Sequence, residues 1–332
     1  MLIIWILIFI VSLVALVKGS DWLIESAEKI GLSLGLSPFI VGVTIVGIGT
    51  SFPELASSLV AVLKGVTDVV SANVIGSNIA NILLIVGISS ILAKRLSVSK
   101  NLIDLDLPLL AICTAILLVV VADMRITLGE SILMLVTYGA YLFYTIYHKD
   151  TEDPEAIADA KISFKKRFAK AQPEKTAKLP TRPKLKIVDF VWLILGLIGL
   201  VFGAKYLIDA LVIISSELNI GTGVIAITAV AVGTSLPELL VSAKAALQKK
   251  PEVALGNIFG SNIFNSLVVT GVPGLFSTLH LSNEIYYIGV PMLIISTLLF
   301  IISGISRRIH LWEGSFFLAL YVLFMAKLFN WF

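Results

Sequence analysis

The sequence predicts an all-α polytopic membrane protein with ten transmembrane helices, arranged as two inverted-topology five-helix repeats. Three observations lead to this fold class. Hydrophobic residues make up 58% of the 332 residues and charged residues only 14%, which excludes an ordinary soluble domain. Apolar runs of about 20 residues, the length that crosses a bilayer, recur along the chain. The second half of the chain also repeats the first half.

Ten apolar runs form the predicted membrane spans. Because lipid offers no hydrogen-bond partner to the backbone, each span has to be helical. The first run lacks a basic segment before it and a small-residue cleavage site after it, so we expect it to be retained and not removed as a signal peptide. The spans are predicted at residues 2–17, 38–63, 68–93, 103–122, 126–147, 187–208, 222–247, 250–276, 285–303 and 310–331.

A fixed offset of 184 residues relates the two halves of the chain. The segment GTSFPEL at 49–55 becomes GTSLPEL at 233–239, and NVIGSNIAN at 73–81 becomes NIFGSNIFN at 257–265. Since each half contains five spans, an odd number, the second half enters the membrane from the opposite side, as in many secondary transporters. The chain is therefore predicted to contain one five-helix repeat at 1–147, a linker at 148–186 and a second five-helix repeat at 187–332.

Lysine and arginine lie mainly on one side of this predicted topology. With the N-terminus outside, 20 of the 25 Lys and Arg residues lie on the cytoplasmic side and four lie outside. Such a bias is typical of cytoplasmic loops. We therefore expect a multi-pass protein of the cell (plasma) membrane, with both termini outside and the 148–186 loop in the cytoplasm. We expect contact with the lipid bilayer, no nucleic-acid partner, and a single chain that is sufficient for activity.

The 148–186 loop is acidic at its start, basic later, and rich in Pro, Lys and Ala. This composition is typical of a disordered linker, so we expect it to join the two halves and to set the topology by its charge. A regulatory role, or contact of its basic part with lipid headgroups, is the alternative.

A proline and a glutamate interrupt one apolar run in each half. Pro53 and Pro237 have no amide hydrogen, so each removes the helical partner of the carbonyl four residues earlier. The sequence therefore predicts two helices that are broken near the middle of the membrane. Unpaired carbonyl oxygens at that depth are tolerable only where water or a ligand reaches them.

Oxygen-bearing side chains surround each predicted break. A spacing of four residues brings Thr50 beside Glu54, and Ser77 beside Asn81, on one helix face. The second half repeats both pairs, and a pseudo-twofold axis between the halves would bring all of these side chains together. We call this set the polar site; it comprises Glu54, Glu238, Thr50, Thr234, Ser77, Ser261, Asn81 and Asn265.

A site of this composition suits a hard cation. Ca²⁺ takes six to eight oxygen ligands, including carboxylates and backbone carbonyls. The two glutamates repel each other in a low-dielectric site, so loss of one ion favours protonation or replacement by another cation. That property is the physical basis of an exchanger. The alternatives are that the glutamates anchor helices by hydrogen bonds and that the serines permit close helix packing.

Four further asparagines lie near the polar site in the predicted helices. Asn73 and Asn257, one turn before the serines, are equally consistent with helix contacts and with ligands, whereas Asn78 and Asn262 point off the polar face.

A cation channel is an alternative function, although the internal duplication already builds a closed site. We expect no enzyme, no catalytic residues and no cofactor, because the sequence lacks H-E-x-x-H and no predicted span interior contains His.

The paired G-T-S-x-P-E and G-S-N motifs resemble those of the sodium/calcium exchanger family, within the cation/calcium antiporter group. The resemblance covers essentially the whole chain, and the short central loop is similar to that of compact prokaryotic members. It implies a membrane antiporter that exchanges Ca²⁺ for Na⁺, with Ca²⁺ extrusion driven by inward Na⁺. Both ions are then transported substrates and not cofactors.

The resemblance also implies roles for individual residues. Glu54, Glu238, Thr50 and Thr234 would bind Ca²⁺. The flanking Na⁺ sites would be completed by Ser51, Ser77, Ser235 and Ser261, with the carbonyls near Gly47 and Ala231. Asn81 and Asn265 fall where the family has a central polar pair, of which one or both members are often aspartate. Two asparagines argue against a potassium-dependent subtype. They also keep open an H⁺/Ca²⁺ antiporter that uses the same two glutamates.

The mechanism implied by this resemblance is alternating access. Spans 1 and 6 would slide or tilt against a core of spans 2, 3, 7 and 8. Gly19 and its equivalent Gly203 are the predicted points of flexure in the two moving spans.

Overall fold

The computed structural model describes residues 2–97, 106–147, 185–217, 235–306 and 308–329. Within these ranges the chain is almost entirely helical, and each strand is only two or three residues long. Counted across the turns that join consecutive helices, seven helical stretches of the described residues are long and apolar enough to cross a membrane. The all-helical, multi-pass architecture agrees with the sequence prediction, whereas the division into ten spans and two inverted repeats stays a prediction.

The first half is a series of helices, several of which are joined end to end by π-helical turns. In chain order its elements are α1 (Leu2–Leu34), α2 (Pro38–Val41), a π-helical turn (Gly42–Val46), α3 (Gly47–Thr50), α4 (Phe52–Leu63), α5 (Asp68–Ala80), a π-helical turn (Asn81–Ile85), α6 (Val86–Ala93), β1 (Arg95–Ser97), α7 (Leu107–Val120), β2 (Arg125–Ile126) and α8 (Leu128–Tyr147).

The second half has the same kind of construction. Its described elements are α9 (Ile187–Glu217), α10 (Leu236–Leu247), α11 (Pro251–Phe264), a π-helical turn (Asn265–Val269), α12 (Thr270–Gly274), β3 (Leu279–His280), a π-helical turn (Ile285–Gly289), α13 (Val290–Ile305), β4 (Arg308–His310) and α14 (Leu311–Leu328). Most of the predicted 148–186 linker and the first part of the predicted span 222–247 lie outside the described residues.

Helix α1 is much longer than the predicted span at 2–17. It continues to Leu34 because no proline interrupts it, and it ends before Gly35, which has a φ of +74°. The extension carries charged residues that pair with the second half of the chain. These pairs are Lys29 with Asp189, Asp21 with Lys244 at 2.7 Å, and Glu28 with Lys250 at 2.5 Å.

Helices α1 and α9 pack against each other in antiparallel directions through glycines. A Cβ atom added at Gly19 would lie 2.9 Å from the carbonyl oxygen of Gly196, and one added at Gly203 would lie 3.1 Å from that of Ser12. Both helices run through these positions without interruption. Gly19 and Gly203, which we predicted as points of flexure, therefore serve the close approach of two continuous helices.

The four short strands form two antiparallel ladders that connect the halves. Strand β1 pairs with β4, and β2 pairs with β3. Arg95 lies opposite His310, and the residues related to them by the 184-residue offset, Leu279 and Ile126, also lie opposite each other. The residue pair of one ladder therefore becomes a residue pair of the other ladder when the 184-residue offset is applied. A twofold relation between the halves requires this correspondence.

Helix α11 lies at the centre of the molecule, and its residues from Val253 to Phe264 are all buried. The segment from α2 to α3 packs directly on its backbone. A Cβ atom at Gly42 would lie 2.8 Å from the carbonyl oxygen of Val253, and one at Gly47 would lie 3.1 Å from the Cα of Gly260. This close contact brings the first predicted helix break against the polar residues of α11.

Candidate functional site

Both helix breaks have the same backbone geometry. Ser51 separates α3 from α4 with φ −86° and ψ 5°, and Ser235 precedes α10 with φ −85° and ψ 5°. Pro53 and Pro237 lie in the first turn of the helix that follows, where an amide hydrogen is not needed. The proline therefore begins a new helix, which confirms the predicted break at 49–55. The residues before Ser235 lie outside the described ranges.

The two glutamates are buried at the start of these new helices. Glu54 lies in the first turn of α4 and Glu238 in the first turn of α10, and each is only 1% exposed. A carboxylate in the first turn of a helix is stabilised by the positive end of the helix dipole. The helix dipole therefore offsets part of the cost of burying each negative carboxylate. A cation bound between the carboxylates would offset more of that cost.

The Glu238 carboxylate is contacted by residues from the other half of the chain. The Ser51 hydroxyl donates a hydrogen bond of 3.1 Å to Glu238 Oε1. The Thr50 hydroxyl is a second polar neighbour of the same carboxylate. Within the described ranges, Glu238 Oε2 and the hydroxyl oxygen of Ser235 have no hydrogen-bond partner. Oxygen atoms in this condition are suited to bind a cation.

Thr50 also meets the G-S-N motif of α11. Its hydroxyl donates to Asn257 Oδ1 at 3.0 Å and lies 3.4 Å from Ser261 Oγ. The Ser261 hydroxyl donates to the carbonyl oxygen of Gly47 at 3.4 Å. That carbonyl, which the family resemblance implies as a Na⁺ ligand, also accepts the Ser51 amide at 3.2 Å. The structure therefore brings Thr50, Glu238 and Ser261, three members of the predicted polar site, close together, with Ser51 beside them.

The central asparagines are buried and start equivalent π-helical turns. Asn81 begins the turn that ends at Ile85, and Asn265 begins the turn that ends at Val269. Neither side-chain amide has a hydrogen-bond partner in the part of the chain that the structure describes. Single π-helical turns inside α-helices occur frequently at functional sites. The sequence reasoning missed these turns, because no residue pattern in either segment distinguishes them from α-helix.

The remaining predicted ligands are buried or lie outside the described ranges. Ser77 is 4% exposed and lies on α5, one turn before Asn81. Thr234 and Ala231 fall among the residues that the structure does not describe. Their predicted roles stay predictions.

The sequence left Asn73 and Asn257 open between a helix contact and a ligand role. In the structure, both side chains donate hydrogen bonds to the helices that carry the glutamates. Asn257 Nδ2 donates to the Glu238 carbonyl oxygen at 3.3 Å and to Ser242 Oγ at 2.8 Å. Asn73 Nδ2 makes the equivalent contacts to the Glu54 carbonyl oxygen at 3.3 Å and to Ser58 Oγ at 3.1 Å. The sequence reasoning missed both serines, although the 184-residue offset relates Ser58 to Ser242.

Asn78 and Asn262, which we placed off the polar face, meet each other between the two halves. Asn78 Nδ2 donates to the backbone carbonyl oxygen of Asn262 at 3.3 Å and to Ser266 Oγ at 2.8 Å. These contacts join α5 of the first half to α11 and the π-helical turn that follows it. The two asparagines therefore contribute to the contact between the halves.

The candidate ligands of the site are oxygen atoms, of which only those of the two carboxylates carry charge. The described residues contain no cluster of three or more His, Cys, Asp or Glu side chains that could hold a metal ion. Hydroxyl, amide and carbonyl oxygens near the Glu238 carboxylate suit hard cations that bind and leave, since Ca²⁺ accepts oxygen ligands in flexible geometry. Softer transition metals prefer thiolate or imidazole ligands.

Comparison with known proteins identifies the same two segments. Residues 4–147 and 188–330 match the profile of the family described as sodium/calcium exchanger protein. The chain is similar to the sodium/calcium exchanger MaX1 of Methanosarcina acetivorans, with 33% identity over 345 residues that cover 97% of this chain and 98% of the relative. It is also similar to the putative antiporter CaxA of Alkalimonas amylolytica, with 33% identity over 97% of each chain.

A solved structure shares the fold. The sodium-calcium exchanger NCX_Mj, in crystals soaked with zero Na⁺ and Ca²⁺, superposes with a TM-score of 0.80 and is 30% identical in sequence. The match covers 99% of this chain and 100% of that chain. Similarity of this extent includes the helices that carry the polar site.

Proposed function

The chain belongs to the sodium/calcium exchanger family, and from this premise we propose that it exchanges Ca²⁺ for Na⁺ across the membrane. Membership confirms the resemblance of the paired motifs and means that the protein is a membrane transporter and not an enzyme. We propose Ca²⁺ extrusion driven by inward Na⁺ as the direction of transport.

One observation carries the proposal: hydroxyls from one half of the chain meet a buried carboxylate from the other half, at Ser51 and Glu238. We assign Glu54, Glu238, Thr50 and Thr234 to Ca²⁺. We assign Na⁺ to sites completed by Ser51, Ser77, Ser235, Ser261, Asn81, Asn265 and the carbonyls near Gly47 and Ala231. Unpartnered oxygens at Ser235, Glu238 and both central asparagines support this assignment, within the described part of the chain.

Charge explains why such a site exchanges ions. Two buried carboxylates carry a charge of −2, which one Ca²⁺ or two Na⁺ ions balance. An empty and charged site is costly in the low-dielectric interior of a membrane protein. The site therefore changes its exposure from one side to the other only when it holds ions, and Ca²⁺ leaves as the counter-ion enters.

The proposed mechanism is alternating access, in which α1 and α9 move together against the core. The glycine contacts between these helices support their movement as a pair. An open apolar groove of about 510 Å³ lies between α9 and the first helix break, lined by Leu197 and Phe202 on one side and by Ile48 and Phe52 on the other.

The two strand ladders support the proposed topology. Both strands of the β1–β4 ladder belong to loops predicted in the cytoplasm, and both strands of the β2–β3 ladder belong to loops predicted outside. We propose five-helix repeats at 1–147 and 187–332, a cytoplasmic linker at 148–186, and both termini outside the plasma membrane. We further propose that one chain is sufficient for transport.

A second candidate is H⁺/Ca²⁺ antiport through Glu54 and Glu238. The observation that favours it is the neutral centre of the site, where Asn81 and Asn265 add no charge. Two protons neutralise the two carboxylates as completely as two Na⁺ ions do.

Uptake of radioactive Ca²⁺ into proteoliposomes of the purified protein separates these candidates. One set of vesicles contains Na⁺ at matched pH, and the other has an acidic interior without Na⁺. We expect uptake only with internal Na⁺. Uptake driven by the proton gradient alone would instead identify an H⁺/Ca²⁺ antiporter. Liposomes without protein and vesicles without either gradient are the controls.

A further inference from the structure

Two ion pairs join the second part of α1 to the other half of the chain. Asp21 pairs with Lys244 of α10 at 2.7 Å, and Glu28 pairs with Lys250, the residue before α11, at 2.5 Å. We call them the latch pairs. Building on the proposed alternating access, we propose that the latch pairs close the cytoplasmic side of the polar site. They thereby favour the state in which the site opens to the outside.

Lys244 contacts α1 at two points. Besides its ion pair with Asp21, its Nζ donates to the Val17 carbonyl oxygen at 2.8 Å. Gln248, one turn later, donates from Nε2 to Asp21 Oδ1 at 3.2 Å. In the proposed mechanism α1 moves and α10 belongs to the core. These contacts therefore have to break when α1 moves away from α10.

The pair of Glu28 with Lys250 makes a second connection between α1 and the core. Both side chains are partly buried, with exposed fractions of 13% and 15%. Water therefore screens their attraction less than it screens an ion pair on the open surface. The Lys250 amide donates to the Ala245 carbonyl oxygen of α10 at 2.8 Å. This bond fixes the backbone of the lysine between α10 and α11.

The outer side of the protein has no equivalent of the latch pairs. In an inverted repeat, the state open to the other side brings together the equivalent residues of the opposite halves. The 184-residue offset gives these equivalents as Lys205, Val212, Val60 and Val66. Since none of them is acidic, neither ion pair has a counterpart outside. The two states of the protein therefore differ in stability.

The packing of the helices agrees with this asymmetry. Helix α1 packs along α10, whereas the equivalent helices α9 and α4 make less contact with each other within the described ranges. The chain after α10 is proposed to be cytoplasmic, and the chain after α4 is proposed to lie outside. The latch pairs are therefore formed in a structure that is packed more closely on the proposed cytoplasmic side.

Cysteine labelling of the full-length protein tests the latch. Ile24 is fully buried, and its spacing places it between Asp21 and Glu28 on one face of α1. In a Cys113→Ala background, Ile24→Cys reports access from the cytoplasm when a membrane-impermeant maleimide is applied to inside-out vesicles. We expect Lys250→Gln to raise the labelling rate about fivefold, the upper end for one partly exposed ion pair.

Asp189→Asn is the matched control. It removes the ion pair with Lys29, which joins α1 to α9 and not to the core. We expect a lower melting temperature and an unchanged labelling rate. The double variant Glu28→Lys with Lys250→Glu exchanges the charges of one latch pair, and we expect it to restore the slow labelling of the wild type. If Lys250→Gln does not fold, Lys250→Met takes its place.

Transport provides a second measurement with the same variants. The apparent affinity for an ion rises with the fraction of the protein that is open to that ion. In inside-out vesicles loaded with Na⁺, we expect the half-saturating Ca²⁺ concentration at the cytoplasmic face to fall about fivefold in Lys250→Gln. We expect it to stay unchanged in Asp189→Asn.

Three results would overturn the proposal. They are unchanged labelling in both Lys244→Gln and Lys250→Gln, an equal increase in Asp189→Asn, and a charge-exchanged variant that labels as fast as Lys250→Gln. The labelling rate does not depend on transport. A wild-type protein without Na⁺-driven Ca²⁺ uptake would instead contradict the proposed function, so the failure of one proposal is distinguishable from the failure of the other.

Discussion

Ser51 and Glu238 are 187 residues apart in sequence, yet the Ser51 hydroxyl donates a hydrogen bond of 3.1 Å to the Glu238 carboxylate. The bond joins a helix break of the first half to the buried glutamate of the second half. The first half therefore contributes to the environment of the second half's carboxylate. A site built in this way depends on the relative position of the two halves.

The two glutamates provide the most direct test of the site. We expect Glu54→Gln or Glu238→Gln to reduce Ca²⁺ uptake to the level of protein-free liposomes, because a neutral amide leaves the ion's charge unbalanced. The protein should still fold, since glutamine has almost the same size. Uptake in proteoliposomes and size-exclusion chromatography measure the two properties.

Glu313→Gln is the matched control for these variants. Glu313 is also a buried glutamate near a helix start, but its carboxylate accepts the His310 amide at 2.7 Å and caps α14. We expect lower stability and retained transport. Transport that survives both Glu54→Gln and Glu238→Gln would contradict the assigned site.

A change at the central asparagine tests the role of charge in coupling. Asn265→Asp adds a third carboxylate to the site, which then needs one more positive charge for neutrality. We expect a steeper dependence of Ca²⁺ uptake on internal Na⁺ than in the wild type, measured as a higher Hill coefficient. An unchanged Na⁺ dependence at neutral and alkaline pH would count against a central position for Asn265.

The contact between α1 and α9 predicts a steric effect. A Cβ atom at Gly196 would lie 2.7 Å from the Leu23 amide nitrogen. We expect Gly196→Ala to destabilise the protein by about 1–3 kcal/mol, as overpacking does, and to slow transport. Gly139→Ala is the control, because a Cβ atom there meets nothing within 4 Å. Equal melting temperatures for the two variants would show that the contact is looser than described.

The membrane topology is open to a labelling test, since the single cysteine, Cys113, is buried. In a Cys113→Ala background, Ser277→Cys should react with a membrane-impermeant maleimide on intact cells. Ser163→Cys, in the 148–186 loop, should react only after the cells are permeabilised. The opposite pattern would reverse the proposed orientation.

Much of this protein was predictable from residue patterns alone. Long apolar runs identify membrane helices, because lipid cannot hydrogen-bond the backbone. Prolines mark the helix break at Ser51, because the ring removes an amide hydrogen. The 184-residue offset pairs Glu54 with Glu238 before any contact is known. These features depend on local chemistry or on periodicity, and both can be read directly from the order of residues in the sequence.

Other features depended on contacts between distant segments. The sequence could not distinguish flexure from packing at Gly19, because the deciding atoms belong to Gly196 on another helix. It could not show that α1 continues to Leu34, where charged residues of the helix pair with α9, α10 and the residue before α11. It also left Asn257 undecided between a helix contact and a ligand. Only the tertiary structure brings Thr50, Glu238 and Ser242 to the two ends of that amide, because hydrogen bonds across halves depend on positions in space and not on spacing along the chain.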